Sequence, residues 1–176
     1  AISMVIYGMM RLGIRDDRLM KIVSEHMIRI GFDHTEPVSL CCLAYAYAKL
    51  EYWNDNIFAG LGRALVDGVK DLSPGQLIMA SLCFSASSGN LKESHFVMDE
   101  LLRNAERRLG DFDNRALSTI AFAAGKYYLL KEDVETYKIN TGMMGMTFDA
   151  QNPFAKEIWQ QVKNRTMESF TMTEIN

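Results

Sequence analysis

The sequence predicts an all-α chain, built as a right-handed solenoid of about four helix-turn-helix units with a period of about 38 residues. Self-similarity is the first sign. Leu12, Leu50, Gly89 and Tyr127 recur at nearly equal steps of 38, 39 and 38, and reading back from each brings up the same kinds of residue. Seven before stand Val5, Leu43, Leu82 and Ile120; five before, Tyr7, Tyr45, Phe84 and Phe122; four before, the small Gly8, Ala46, Ser85 and Ala123; one before, Arg11, Lys49, Ser88 and Lys126. A period of this length marks stacked supersecondary units, each burying its apolar face against its neighbours. Composition is the second sign: only 3 prolines, with many alanines, leucines and methionines, favour helix. Charge is the third. A net charge of −3 with 48% apolar residues describes a folded chain without the basic excess of a sequence-independent nucleic-acid binder, so any basic surface is local.

Each unit reads as two helices. The first helices fall at 2–12, 39–50, 74–87 and 115–130. The second helices fall at 17–30, 55–69 and 94–109, with a displaced one near 153–169. Asp17, Asp55 and Ser94 stand five residues after their anchors as candidate N-caps, and Glu132 shares their column. Pro74 suits a first helical turn beside the capping candidate Ser73, and Gly31 and Gly110 suit helix ends. At about 100° per residue, one arc of each first helix should pack on its own second helix. These arcs are Ile2, Val5, Ile6, Met9; Leu40, Leu43, Ala44, Tyr47; Met79, Leu82, Cys83, Ala86; and Leu117, Ile120, Ala121, Ala124.

The units span about 2–31, 39–70, 74–110 and 115–131. An insertion follows at 132–152, then 153–176 with the displaced helix and the start of a further unit. Neither end carries a polar capping unit, and the closing Phe170–Asn176 is similar to the segment Leu72–Ile78 that introduces the third unit, so an internal piece of a longer protein is expected. The insertion reads as a surface loop, or as an adaptable apolar contact for a partner protein through Met143, Met144 and Met146.

The residues of catalysis are missing from this pattern. His26, His34 and His95 are scattered, and Cys41, Cys42 and Cys83 have neither metal nor disulfide spacing and read as small buried side chains. Gly60-Leu61-Gly62 lies inside a helix rather than after a strand, which is the wrong context for a phosphate loop. The expectation is no enzyme, no cofactor, no metal and no small-molecule substrate, and no apolar run approaches a membrane span.

One constellation has a mechanism. The aromatic column and the mostly basic column lie one helical turn apart, on the side away from the predicted packing arc. The ladder Tyr7/Arg11, Tyr45/Lys49, Phe84/Ser88 and Phe122/Lys126 could stack bases and meet phosphates along a single strand. The same rings could instead wedge between units.

The period, the run Leu43-Ala44-Tyr45-Ala46-Tyr47-Ala48-Lys49-Leu50, and the introducers Leu72-Ser73-Pro74 and Phe112-Asp113-Asn114-Arg115-Ala116-Leu117-Ser118 resemble known organellar repeats. They are similar to the octotricopeptide and heptatricopeptide helical hairpins, and to the repeat region of FAST-kinase-like proteins that end in a RAP domain. That resemblance covers about residues 2–130. It implies a mitochondrial protein (plastid as second choice) that binds ribosomal or messenger RNA, or is built with other proteins into an organellar ribosome or RNA-processing assembly. The alternative is a protein–protein adaptor without RNA contact.

Overall fold

Among the described residues the chain is all-helical. The computed structural model describes residues 2–87, 91, 93–131, 154, 156–158, 160, 161 and 163–165. Its helices are α1 (Ile2–Leu12), α2 (Asp17–Ile30), α3 (Pro37–Lys49), α4 (Asp55–Asp67), α5 (Pro74–Ser87), α6 (Glu93–Glu106) and α7 (Asn114–Lys131). One-turn 3-10 helices follow α4 and α6, at Val69–Asp71 and Leu109–Asp111. The odd-numbered helices pack in series, α1 on α3 on α5 on α7, and the even-numbered ones likewise, α2 on α4 on α6. Contacts of α3 with α4, and of α6 with α5 and α7, join the two layers. The insertion at 132–152, including Met143, Met144 and Met146, and Glu132 lie outside the described residues.

Local chemistry sets the helix ends. The caps of α2 and α4 are Asp16 and Asn54, one residue before the expected Asp17 and Asp55. Their extended backbones aim the side chains at the amides of Leu19 (3.0 Å) and Ile57 (3.1 Å). Asp17 and Asp55 are instead first-turn acids, where the helix dipole favours them. Ser94 is no exposed cap either: it is buried, its hydroxyl 2.7 Å from that of Ser87. Ser73 and Gln76 form a reciprocal capping box ahead of α5, with Pro74 as its first residue. Gly31 ends α2 at φ 79°, as expected of it, whereas Gly110 lies within a 3-10 turn without positive φ.

Two backbone devices recur. α1 and α3 end in the same Schellman pattern, one period apart: the Ile14 amide donates to the Met9 carbonyl, and the Tyr52 amide to the Tyr47 carbonyl. The left-handed positions are Gly13 (φ 68°) and Glu51 (φ 55°). The second device is an arginine strut. Arg108 donates to the Leu72 carbonyl (2.7 Å), and Arg165 does the same to the Phe112 carbonyl, one unit further on. That strut attaches the helical residues between 154 and 165, with Phe154 and Ile158 buried, to the body of the fold.

The buried stripes correct the expected register of the third unit. On α3 the buried residues include Leu40, Leu43, Ala44, Ala46, Tyr47 and Ala48. On α5 they include Leu77, Ala80, Ser81, Cys83, Phe84 and Ser85, the same positions displaced by 37 rather than 39. Of the expected stripe Met79, Leu82, Cys83 and Ala86, only Cys83 is buried. From α5 to α7 the spacing becomes 40, so that Phe84 corresponds to Ala124. The cause lies between α5 and α6. Tyr47 precedes the buried Ile57 of α4 by 10 residues, while Phe84 precedes the buried Val97 of α6 by 13. Three additional residues there displaced the Gly89 anchor from its true counterpart, Ser87. On α1, Ile6 is buried, but Ile2 and Val5 are exposed.

Close approach of α4 to its neighbours depends on glycine. A Cβ on Gly62 would stand 2.6 Å from Val97 Cγ2 and 3.4 Å from Phe84 Cε1. Gly62→Ala should therefore lower stability by about 1–3 kcal/mol through overpacking. Gly8→Ala, where a Cβ meets nothing within 4 Å, should instead add up to about 1 kcal/mol of helix propensity. Urea unfolding of the two variants reads both signs.

Candidate functional site

α3 is covered by α1 on one flank, by α5 on the other and by α4 behind. One strip of it remains open: Val38, Cys42, Tyr45 and Lys49, spaced four, three and four residues apart along a single helix face. The corresponding strip of α5 is Gly75, Met79, Leu82 and Ala86, and that of α7 is Arg115, Thr119, Phe122 and Lys126. α1 adds Met4, Tyr7 and Arg11. Side by side these strips form one continuous open face of the odd-numbered layer.

Two grooves mark this face. One, of about 280 Å³, lies over α1, α3 and α5, lined by Tyr7, Met10, Arg11, Tyr45, Met79 and Leu82 among others. The other, of about 710 Å³, lies over α3, α5 and α7, and its walls include Tyr45, Lys49, Trp53, Leu82, Phe122 and Lys126. Tyr45 and Leu82 belong to both. Six of the eight ladder residues thus share one open face, Phe122 half exposed on it, and Ser88 lies outside the described residues.

Phe84 is the exception. It is 1% exposed, packed edge-to-face on Phe58 with ring centroids 6.0 Å apart. The register change explains this: Phe84 is the counterpart of Tyr47, a core residue, and the true counterparts of Tyr45 and Lys49 on α5 are Leu82 and Ala86. The ladder therefore has ring-and-cation pairs on α1, α3 and α7 and an apolar, uncharged rung on α5. Sequence columns missed Leu82 and Ala86, and also Glu51 and Trp53, which line the larger groove from the turn after α3. A signal for the last two existed in their place immediately after the Leu50 anchor.

The charges on the face are exposed. Lys49 Nζ rests 5.6 Å from the centroid of the Tyr45 ring, a contact worth about 0.5–1 kcal/mol where water reaches it. A flat ring stacking on Tyr45 would displace that ammonium toward whatever the ring carries. Glu51 adds one negative charge to the two lysines of the larger groove.

Of the cysteines, Cys42 lies on the open strip of α3, Cys83 lines the larger groove from beneath, and Cys41 is buried. The three cysteines have raised thiol pKa values, mainly through burial: Cys41 is pushed up to about 12 and Cys83 well above the usual range, with Cys42 raised as well. Among the described residues no group of His, Cys, Asp or Glu could hold a metal ion, and no helix is long and apolar enough to cross a membrane. No protein-family model, curated protein or solved structure matches the chain.

Tyr47, two residues from Tyr45, faces the opposite way. Its hydroxyl donates to the Met20 carbonyl (3.2 Å) and accepts from Ser24 (3.1 Å), and desolvation pushes its pKa from 10.0 to about 12. Both Cys41 and Tyr47 have folded pKa values above their unfolded ones, so the fold favours their protonated forms. Their stabilisation is complete below pH 9.0, the ordinary value for a thiol, and is lost as pH rises toward 12. The urea midpoint should therefore fall progressively above pH 9, and Tyr47→Phe should reduce the part of that fall above pH 10 while costing about 1 kcal/mol at neutral pH.

Proposed function

We propose that this chain is a non-enzymatic scaffold. In this reading it is a right-handed solenoid of about four helical hairpins within an organellar ribonucleoprotein, contacting single-stranded RNA along the open face of its odd-numbered helices. The observation that carries the proposal is the recurrence, on three helices of one layer, of a ring and a cation one turn apart: Tyr7 with Arg11, Tyr45 with Lys49, and Phe122 with Lys126. Stacking on a ring is tolerant of base identity, and the adjoining cation meets the phosphate. Neighbouring helices lie about 8–10 Å apart, so successive rungs are within reach of one extended strand. The similarity of the sequence to octotricopeptide and heptatricopeptide hairpins supports the organellar setting, the mitochondrion first and the plastid second. The acidic chain agrees with an RNA contact restricted to this face.

A protein-adaptor reading has its own observation. The middle of the face, where Met79, Leu82 and Ala86 lie, is apolar and uncharged. An apolar centre with aromatic neighbours and charges at its rim is also the anatomy of a protein contact.

Charge reversal separates the two. Arg11, Lys49 and Lys126 are all exposed, so Arg11→Glu, Lys49→Glu and Lys126→Glu together should leave the fold intact. Fluorescence anisotropy with a labelled single-stranded RNA should show affinity falling at least tenfold. The salt dependence of log K should become shallower by about 2, roughly 0.7 for each phosphate that is no longer neutralised. Equal binding by the triple variant and the parent would end the RNA reading and leave the adaptor.

A further inference from the structure

We infer that the larger groove, over α3, α5 and α7, is selective for one base: it takes a guanine of a single-stranded RNA, with the carboxylate of Glu51 reading the base edge. The inference rests on the RNA reading above and adds a specificity that the ring-and-cation ladder does not have.

The irregular rung leaves the room. α3 and α7 pack on either side of α5, about 16–20 Å apart between axes at ordinary helix spacing. Between them α5 presents Leu82 and Ala86, where α3 has a ring and a cation. The space is about 710 Å³, within the ordinary range of small-ligand sites. Of the rings on its walls, Tyr45 already has Lys49 Nζ 5.6 Å from its centroid, and Trp53 packs on Phe58 with centroids 5.6 Å apart. Phe122, half exposed on the α7 wall, is the ring on which a base stacks, with Lys126 one turn along for its phosphate. The free edge of that base then meets Lys49 and Glu51 on the α3 wall.

Glu51 is the group that a plain phosphate track would not contain. It is an acid beside two lysines, and it stands at φ 55°, the one positive φ among the described non-glycine residues. Gly13 takes the equivalent turn position after α1. Backbone conformation favours glycine there, so the reason for a glutamate lies with its side chain. The turn that carries it is well fixed. The Glu51 amide donates to the Ala48 carbonyl (3.2 Å), and Arg15 donates to the carbonyls of Leu50 (3.0 Å) and Glu51 (3.4 Å). The carboxylate feels the charge of Arg15 but makes no hydrogen bond or close ion pair among the described residues. It is an exposed acceptor on a held backbone.

Guanine is the base that matches. Its Watson–Crick edge carries two adjacent donors, N1–H and the N2 amino group, which the two oxygens of a carboxylate accept together. Beside them is O6, an acceptor for the Lys49 ammonium. Adenine and cytosine each offer a single donor group on that edge, and uracil a single N–H between two carbonyls that a carboxylate repels. The same charge keeps phosphate away from the α3 wall and on the side of Lys126.

Fluorescence anisotropy of the full chain with short labelled RNAs tests this, using an all-uridine strand and strands with one central guanosine, inosine or adenosine. The guanosine strand should bind about tenfold tighter than the adenosine or all-uridine strand, the discrimination of a good bidentate contact. Inosine, which lacks the N2 amino group, should fall between. Glu51→Gln should abolish most of that preference and raise affinity for the all-uridine strand, because a negative charge leaves the groove. Glu51→Gly, which relieves the left-handed strain, should do the same. A merely structural Glu51 would move all four strands together. Equal binding of the four strands by the parent, or a guanosine preference that survives both substitutions, overturns this inference and leaves the RNA reading standing. No binding of any strand overturns both and leaves the groove to a protein partner.

Discussion

A helix flanked by two helices and backed by a third has one strip left for water, and everything the odd-numbered layer can offer a ligand must come through that strip. α3 and α5 are in this position. Their inward faces are built from alanine, cysteine, serine and leucine, which let neighbouring helix axes come close, and from one large ring each, Tyr47 and Phe84, that fills the space where the layers meet. This burial dictates the rest. It places Tyr45 and Lys49 on the open side because Leu43, Ala44 and Tyr47 occupy the closed one. It also makes Cys41 and Cys83 poor nucleophiles, since the thiolate is poorly solvated there.

The three additional residues between the α5 and α6 stripes change the open face out of proportion to their number. A uniform period would have placed an aromatic residue and an anchor on α5 in line with those of α3 and α7. The actual register turns Phe84 inward and leaves Leu82 and Ala86 on the face. The open face therefore presents rings and cations at α1, α3 and α7 with a smooth apolar rung between the last two. Glu51 contributes to the same region from a left-handed backbone position. Its counterpart Gly13 takes that conformation without strain, and the exposed acid of Glu51 stands at the rim of the larger groove.

The arginine struts show how the turns are held once the helices are packed. Arg108 and Arg165 each satisfy a carbonyl of a preceding inter-helix turn that no helix can satisfy, which keeps consecutive turns at one end of the layers in step. No column of the sequence announced them, because the partner of each is a backbone oxygen and leaves no trace in residue type.

Local chemistry by itself determined a good deal here. Helix type, the number of helices over the described residues, the capping box at Ser73, the end of α2 at Gly31, and the common face of Tyr7, Arg11, Tyr45, Lys49, Phe122 and Lys126 all follow from propensity and from the 3.6-residue turn, which operate over a few residues at a time. Tertiary structure decided what depends on counting across turns and on who the neighbours are. The inward turn of Phe84 and the outward position of Leu82 and Ala86 are of this kind. Columns read at a fixed period treat every turn as equal in length, whereas packing brings buried stripes into contact and lets the turns absorb the difference. Each residue of slip rotates a helix by about 100°, which is enough to separate a core ring from a solvent-facing one.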